Sequence, residues 1–420
     1  MDTEPIIETE PVPYTDPVLA VFSQESADDP HESYRWLREQ CPVGRSEMDA
    51  APAIYISRYE DVLWALRHPE IFSSAMDAVS IGQEQPLIPL QIDPPDHTGY
   101  RRLLNPEFTP KKIAAMEADV RALVNRIIDG FIDRGGCNFH EDFATPLPST
   151  IFLRLLGLPQ ADLPTFLQWR DNTVRPDVPR DDFEGAARIR EATGREINAY
   201  FERAIEESRR DPDEGLLGQL VGADMNGREL TQEELLGILH LLLLGGLDTV
   251  TATLDCMIAY LARHPDRRRQ LVDDPSLIEP AVDELLRRET PVQVVLRTAT
   301  QDIEMRGVQV RKGDAVTLVL GAANGDEAQF LASDAFELAD GHNHHVAFGG
   351  GPHLCLGAHL ARLELRVAIE EFHRRVPDYR IADGAEIHYS PGIRQADQLP
   401  LVFDTPRAER VGEAAVSTTS

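Results

Sequence analysis

The segment 348–357 reads Phe-Gly-Gly-Gly-Pro-His-Leu-Cys-Leu-Gly and joins three consecutive glycines to a single cysteine, Cys355. Consecutive glycines let the backbone approach a flat, bulky group closely. A helix is predicted to begin just after Cys355, and the positive end of a helix dipole favours a thiolate. One thiolate aimed by a tight loop suits a single axial position on a metal centre, and on haem iron it favours O–O cleavage. A structural cysteine beside a glycine turn is the alternative interpretation.

A second set of chemically capable residues is Gly245-Gly246-Leu247-Asp248-Thr249, inside a long apolar stretch. Two glycines in a helix cost about 1 kcal/mol each relative to alanine, so their presence needs a reason. The Thr249 hydroxyl can bond back to the carbonyl of Gly245, which loosens the turn and opens a groove for a small ligand. The alternative is a kinked core helix with a packed threonine.

Two charged patterns have helical spacing. Glu284 and Arg287 are three residues apart and therefore share one helix face. Alone, such a pair is usually exposed and contributes under about 1 kcal/mol. His97 and Arg101 are four residues apart within Asp93–Arg102, a geometry that suits a clamp on a carboxylate. An exposed cationic helix is the alternative for the second pattern.

The segment 348–357 resembles the haem-binding signature of the cytochrome P450 family, F-G-x-G-x-H-x-C-x-G, with every defined position filled. The resemblance implies that Cys355 is the axial thiolate ligand of haem b. It implies that Phe348 and Gly349 belong to the ligand loop and that His353 contacts a haem propionate.

The other patterns resemble motifs of the same family, in the same order, so that the resemblance extends from about residue 34 to residue 403. The segment Gly245–Thr249 is similar to the oxygen-binding groove [AG]-G-x-[DE]-T. This implies that Gly245 lines the groove and that Asp248 and Thr249 relay protons.

The remaining two motifs concern the haem surroundings. By resemblance to the E-x-x-R motif, Glu284 and Arg287 form a buried structural pair behind the haem loop. By resemblance to the D-P-P-x-H-x-x-x-R region, His97 and Arg101, together with Arg297, hold the haem propionates.

One departure from the family pattern lies eight residues before Phe348, where many relatives have an arginine and this chain has Asp340. His342 or a shifted loop could take the place of that arginine. His342, His344 and His345 could also suggest a zinc site. A polar loop is the preferred interpretation, because no cysteine or carboxylate is spaced to complete the zinc ligands.

Helical periodicity dominates the chain and predicts a mainly α protein with a minor β part. The expected architecture is a single-domain cytochrome P450 fold over residues 16–405, with a long helix above the haem, the cysteine loop beneath it, and flexible ends at 1–15 and 406–420. Thr231 and Glu234 make a capping box for the long helix. The predicted helices are 30–40, 59–68, 110–133, 183–209, 231–264 and 358–375, and the predicted strands are 53–57, 292–300 and 315–320.

Composition excludes several classes of protein. The net charge of −30 argues against binding nucleic acid through a broad basic face. The N-terminal sequence lacks the features of a signal peptide, and the most apolar stretch, 235–247, is too short to span a bilayer. The four cysteines form no CxxC pair, which argues against a disulfide framework or a zinc site. We expect a cytoplasmic protein without a membrane anchor.

The resemblance implies a haem-thiolate monooxygenase that uses dioxygen and two external electrons to hydroxylate or epoxidise an apolar small molecule, such as a terpenoid, steroid, lipid or polyketide. The chain has no flavin or nucleotide fingerprint, so the electrons are expected from NAD(P)H through a ferredoxin reductase and a ferredoxin. A cationic docking patch on the cysteine side is the hypothesis for ferredoxin binding, made of Arg101, Arg102, Lys111, Lys112, Arg362 and Arg366.

An apolar roof over the substrate is expected from two segments. The long helix would supply residues on the face of Gly245 and Thr249, and the strand after the E-x-x-R helix would supply the rest: Ile238, Leu241, Leu242, Val292, Val294 and Val295. A peroxide-driven haem peroxygenase and a non-catalytic haem sensor are the alternative functions. The Asp248–Thr249 pair argues against both, since neither needs a proton relay.

Overall fold

The computed structural model describes residues 24–46, 53–75, 82–179, 182–211, 215–225, 227–330 and 344–405. The expectations for the chain ends, for Asp340 and for His342 lie outside these residues. The helices are α1 (Gln24–Asp28), α2 (His31–Gln40), α3 (Tyr59–Arg67), α4 (Asp96–Leu104), α5 (Pro110–Ala115), α6 (Glu117–Asp129), α7 (Pro146–Leu156), α8 (Leu163–Val174), α9 (Phe183–Arg210), α10 (Leu216–Val221), α11 (Gln232–Leu247), α12 (Thr249–Arg263), α13 (Pro265–Asp273), α14 (Ile278–Glu289), α15 (Leu320–Asn324) and α16 (Ala358–Arg375).

The strands are β1 (Val43–Ser46), β2 (Ala53–Ile56), β3 (Phe72–Ser73), β4 (Gly136–Asn138), β5 (Val294–Ala299), β6 (Ile303–Met305), β7 (Val308–Val310), β8 (Ala315–Val319), β9 (Tyr379–Ile381) and β10 (Pro400–Phe403). Within the described residues they form three small sheets. The largest has the order β1-β2-β8-β5-β3, in which only β2 and β8 are parallel; the others are β4-β10-β9 and the hairpin β6-β7.

The prediction of a mainly α protein with a minor β part is confirmed, and most predicted elements end within two residues of the observed ones. The prediction of one helix over 110–133 is wrong. The helix is interrupted at Met116, whose backbone N–H turns back tightly to the carbonyl of Ile113, and it ends at Asp129 before Gly130. Because the apolar period continues across Met116, the sequence pattern does not show the interruption.

The predicted helix over 231–264 is likewise two helices, α11 and α12, separated at Asp248 (φ −112°, ψ −39°). The predicted capping box is present: Thr231 accepts from the Glu234 N–H, and Glu234 accepts from the Thr231 N–H. The Thr249 hydroxyl donates to the Gly245 carbonyl at 2.8 Å. This side-chain bond occupies a carbonyl that a regular helix would use, and it accounts for the irregular turn.

The helix α12 passes through the interior, and every residue from Val250 to Leu261 is buried. The combined segment Gln232–Arg263 is long and apolar enough to cross a membrane, but 67% of its most apolar window is buried inside the protein. A helix that is apolar on all sides and packed within a fold is typical of a core helix.

The helix that follows Cys355, α16, is held against its neighbours by packing and by charge. Its apolar residues belong to one cluster with residues of α6, α12 and α14. On the outer side, Arg121 of α6 donates to Glu370 and Glu371 of α16 and to Glu117 of its own helix. The helix α16 as a whole is therefore fixed relative to α6, α12 and α14.

Alanine substitutions at the two adjacent glycines of α11, Gly245 and Gly246, should have opposite effects on the free energy of unfolding. A Cβ on Gly246 would lie 2.7 Å from the ring of Phe152 in α7. Gly246→Ala should therefore lower the free energy of unfolding by about 1–3 kcal/mol. In the control, Gly245→Ala, the added Cβ meets nothing within 4 Å, and stability should rise by up to about 1 kcal/mol. Urea denaturation of the haem-loaded proteins measures both, and an equal loss in the two variants would contradict the packing analysis.

Candidate active site

The loop before Cys355 is a tight turn pressed against α3. Gly349 and Gly351 have φ values of +71° and +63°. A Cβ on Gly351 would lie 2.2 Å from the backbone oxygen of Leu66, so only glycine fits there. The Cys355 N–H closes the turn by donating to the Phe348 carbonyl at 2.9 Å. The sequence Gly-Gly-Gly thus fixes the backbone from which the cysteine projects.

Cys355 opens into a cavity of about 390 Å³ that Phe108, Phe348 and Leu356 also line. The helix α16 begins three residues further on, at Ala358. Burial raises the pKa of the Cys355 thiol, while the Gly357 N–H and the guanidinium groups of Arg101 and Arg362 act in the opposite direction. A thiol beside a helix N-terminus and two arginines is suited to act as a thiolate ligand.

Three predicted propionate-binding residues come together. The rings of His97 and His353 are 4.3 Å apart, and the Nε2 atom of each is buried without a hydrogen-bond partner among the described residues. Arg297 is also buried, and its only described hydrogen bond is from Nη1 to the backbone oxygen of Leu296. Buried donors of this kind require acceptors.

The electrostatic surroundings of His97, Arg297 and His353 also favour a bound anion. Burial lowers the pKa of Arg297 to about 10 and that of His353 to about 3, and it lowers the pKa of His97. Asp93, whose negative charge acts on all three residues, is already bonded by the Ser73 hydroxyl and the Ser74 N–H. The donors of His97, Arg297 and His353 therefore fit the carboxylate groups of a haem. Arg101, the fourth residue predicted to bind them, lines the cavity into which Cys355 opens.

The predicted structural pair is buried and bidentate. Arg287 donates to both carboxylate oxygens of Glu284, at 2.7 and 2.8 Å. It also donates to the backbone oxygen of Asn324 at 2.7 Å. The Asn324 side chain accepts from the Val346 N–H and donates to the Thr290 hydroxyl. Asn324 therefore connects α14 to the chain just before the cysteine loop, and no local sequence pattern indicated this role.

Asp283 provides a second connection that sequence analysis missed, although it precedes Glu284 directly. Its Oδ1 accepts from Arg362 at 2.8 Å and lies 3.4 Å from His345 Nε2. Burial raises the pKa of Asp283, but the bonds from His345 and Arg362 outweigh it and lower the pKa. The Arg362 guanidinium lies 4.6 Å from the centre of the Phe348 ring.

Two of the three histidines weighed as zinc ligands lie in the described part of the chain. His345 bonds to Asp283, and the His344 carbonyl accepts from the Tyr59 hydroxyl at 2.6 Å. Among the described residues, no group of three or more histidine, cysteine, aspartate or glutamate side chains could hold a metal ion. His345 thus serves to anchor the loop.

The predicted groove in the long helix has the expected local form. Gly245 is exposed, and a Cβ there would face open space, whereas Leu241 and Thr249 are partly exposed one turn to either side. Asp248, next to Thr249, is fully buried. The helix therefore presents an open stripe that ends at a hydroxyl group.

Asp248 is held by a residue that sequence analysis did not select. Nη2 of Arg175, which directly follows α8, lies 2.9 Å from both carboxylate oxygens of Asp248. Nε of Arg175 donates to the Ser390 hydroxyl at 3.1 Å. Arg175 keeps 25% of its side chain exposed, while Asp248 keeps none. The interaction joins positions 73 residues apart, and no local pattern indicated it.

Comparison with known proteins decides the family. A family model described as Cytochrome P450 matches residues 175–375. The chain is 35% identical over 379 residues to the Steroid C26-monooxygenase of Mycobacterium tuberculosis, a match that covers 88% of this chain and 93% of the relative. It is also 35% identical to the Probable cytochrome P450 127A1 of Sinorhizobium fredii, with 85% of each chain covered. The chain belongs to the cytochrome P450 family.

Solved structures agree with this P450 assignment. The polyketide synthase cytochrome P450 PksS of Bacillus subtilis has a TM-score of 0.84 at 29% identity, and the match covers 91% of this chain and 99% of PksS. A myxobacterial P450 solved with myristic acid, CYP267B1, has a TM-score of 0.84 at 31% identity, with 93% and 100% covered. The predicted P450 fold is confirmed, and the chain is a monooxygenase, that is, an oxidoreductase. Its family implies the use of haem and dioxygen.

The structure changes the expected apolar roof of this P450. Alternation along β5 puts Val295 on the face of Arg297 and Val294 on the other face. Val294 packs against the apolar cluster that contains Tyr34 and Leu37. Val294 therefore does not belong to the roof. Val292 lies outside β5 and pairs with Ile393, and Ile238 is fully buried in the helical core. Leu241 and Leu242 are partly exposed, as a lining requires.

The ion pair between Arg175 and Asp248 should be visible in stability measurements. Arg175→Gln leaves the buried carboxylate of Asp248 without a compensating charge, and it should lower the free energy of unfolding by about 3 kcal/mol. The double variant Arg175→Gln/Asp248→Asn leaves no buried charge and should recover most of that loss. Urea denaturation of the haem-loaded variants measures the coupling. Strictly additive losses would show that the pair contributes nothing.

Proposed function

We propose that this P450 hydroxylates or epoxidises an apolar small molecule of the steroid, terpenoid, lipid or polyketide type. The observation that carries the proposal is the open apolar stripe of α11, which ends at the Asp248–Thr249 acid and hydroxyl pair. Names of relatives support the same class. One is the Steroid C26-monooxygenase above, and another is the Vitamin D(3) 25-hydroxylase of Pseudonocardia autotrophica, at 32% identity over 91% of this chain.

The proposed roles of the residues follow from their surroundings. Haem, when bound, supplies the activation of dioxygen and the transfer of one oxygen atom to the substrate. Cys355 would hold the haem as a thiolate ligand. Arg101 and Arg297 would neutralise the haem carboxylates, and His97 and His353 would donate hydrogen bonds to them. Leu241 and Gly245 would leave room for the substrate and dioxygen.

Asp248 and Thr249 would handle protons. The Thr249 hydroxyl donates to the Gly245 carbonyl, so its oxygen can accept a hydrogen bond from the groove. Asp248 is turned toward Arg175 and is shielded from solvent. To pass a proton to Thr249, the Asp248 carboxylate would exchange the Arg175 bond for one within the groove. Because Arg175 is a quarter exposed, its side chain has space to move away.

Electrons are proposed to come from NAD(P)H through a ferredoxin reductase and a ferredoxin, in the cytoplasm. Fewer cations are available for the hypothetical docking patch than the sequence suggests, because three of the six have carboxylate partners in the same chain. Lys112 pairs with Glu107, Arg362 with Asp283, and Arg366 with Glu117 and Glu370. Arg102 and Lys111 are exposed and make no ion pair within the described part of the chain. Leu354, 48% exposed, could add an apolar contact.

Cys355 ligation is tested by the absorption spectrum of the reduced, carbon-monoxide-bound protein. The wild type should show the strongly red-shifted Soret band of thiolate-ligated haem, and Cys355→Ala should lose it because no other sulfur ligand faces the cavity among its described lining residues. Cys256→Ala is the matched control, since Cys256 is buried elsewhere and should leave the band unchanged. A histidine-type band in the wild type would overturn the proposed function.

The docking patch predicts a salt-dependent loss of electron transfer. Arg102→Glu/Lys111→Glu should slow reduction by a [2Fe–2S] ferredoxin about tenfold at low salt, because charge steering is reversed. Stopped-flow reduction under carbon monoxide measures the rate. Arg209→Glu, on α9 outside the cavity lining, is the control. Arg362→Glu is unsuitable because Arg362 contacts Phe348 and Asp283. Equal rates in all variants would rule the patch out.

A further inference from the structure

A buried acid and a histidine lie behind the proposed relay. Asp255 is on α12 and is fully buried, in a stretch of that helix (250–261) in which every residue is buried. Its Oδ2 is 2.8 Å from Nδ1 of His140, which belongs to the π-helical turn His140–Ala144. Burial of a carboxylic acid in an apolar helix is costly, so this position calls for an explanation beyond packing.

One oxygen of this acid remains unused. Oδ1 of Asp255 is buried and has no hydrogen-bond partner among the described residues. A buried carboxyl oxygen without a partner is unusual and marks either a water site or a functional group. Burial also raises the pKa of Asp255 despite the bond to His140. The acid is therefore suited to carry a proton in the folded protein.

The position of Asp255 connects it to the relay on one side and to the surface on the other. Asp255 is seven residues after Asp248, close to two helical turns, so both side chains leave nearly the same face, about 10 Å apart along the axis. The charges of Asp248, Arg175 and His140 all act on Asp255. On the other side, His140 keeps 14% of its side chain exposed.

We propose that His140 and Asp255 form the outer part of a proton path, through which protons from solvent reach Asp248 and then Thr249. The proposal rests on the proposed monooxygenase function, which consumes two protons for each water released. A proton taken up at Nε2 of His140 releases the Nδ1 proton to Oδ2 of Asp255. Asp255 in turn releases a proton from Oδ1 to water molecules, which would carry it over the roughly 10 Å to Asp248. One proton moves inward, and neither His140 nor Asp255 changes its charge.

A neighbouring threonine distinguishes a proton path from a structural anchor. Thr251 also connects α12 to the π-helical turn, because its hydroxyl donates to the Ala144 carbonyl at 3.0 Å. The described hydrogen bonds of the Thr251 hydroxyl go to the backbone carbonyls of Ala144 and Leu247, and none goes to Asp248, Asp255 or His140. Thr251→Val therefore removes a structural bond between the same two elements and serves as the matched control for Asp255→Asn and His140→Gln.

The first experiment needs no turnover. Infrared spectra of the haem-loaded wild type should contain the carbonyl band of a protonated carboxylic acid that is absent in Asp255→Asn. Burial also raises the pKa of Glu364, to about 8, so Glu364→Gln is measured to assign its separate band. After transfer to deuterium oxide, His140→Gln should slow the exchange of the Asp255 band about tenfold. Thr251→Val should leave the exchange rate unchanged.

The second experiment measures turnover with NADPH, a [2Fe–2S] ferredoxin, its reductase and myristic acid as the probe. Asp255→Asn should raise the solvent deuterium isotope effect on NADPH oxidation and the share of electrons released as hydrogen peroxide, each about threefold. Loss of the infrared band without a change in these two quantities would mean that the acid is off the path. An unchanged band in Asp255→Asn would also overturn the proposal.

The two proposals fail in different ways. If the wild type lacks the red-shifted carbon monoxide band, the monooxygenase function fails whatever the infrared result. If the wild type has that band and Asp255→Asn matches Thr251→Val in isotope effect and peroxide release, only the proton path fails. In that case His140 and Asp255 would be a structural pair.

Discussion

The position of Cys355 depends on two adjacent carboxylates of α14, Glu284, which is buried, and Asp283, which keeps about a third of its side chain exposed. Glu284 is neutralised by Arg287, which also reaches Asn324, and Asp283 is bonded to Arg362 and His345. From this one turn, hydrogen bonds extend to the chain before the loop, to the loop and to the helix after it. Removing one partner of such a buried pair is costly because the other charge remains without compensation. The glycine loop can be conformationally unusual because both of its ends are held.

The segment formed by α11 and α12 carries a different free-energy cost, the desolvation of buried acids. Two buried acids, Asp248 and Asp255, lie in this predominantly apolar segment, and each has a partner from a distant part of the chain. Replacement by apolar residues would avoid the desolvation of both acids. Their presence is understandable if the helix must move protons as well as pack. The irregular turn at Asp248 has a similar explanation, since the open groove requires the Thr249 hydroxyl to occupy a helix carbonyl.

The sequence revealed those features that short motifs determine. Segment 348–357 predicted the loop, Thr231 and Glu234 predicted the helix start, and Gly245 with Thr249 predicted the bond that the structure contains. Partners from distant parts of the chain could not be predicted in this way. Arg175, Asn324 and His140 stand in ordinary local surroundings, and only the folded chain brings them to Asp248, Arg287 and Asp255.

The sequence alone already argues against placing Val294 in the apolar roof. Because side chains alternate along a strand, choosing Arg297 as a haem contact already assigns Val295 to the same face and excludes Val294. The interruption at Met116 is different, since hydrophobic periodicity continues through it and gives no signal.

The charge of the molecule shows why a residue count is a poor guide to a binding surface. The chain has a net charge of −30, and six cations were expected near Cys355. In the folded protein, Lys112, Arg362 and Arg366 are paired with carboxylates of the same chain. The charges of Arg362 and Arg366 help to hold α16 in place. All three cations attract a partner less strongly, because a cation and its carboxylate together are close to neutral when seen from a distance. Attraction of an acidic protein therefore depends on the few exposed cations that the fold leaves without a carboxylate, in a molecule whose overall charge is repulsive.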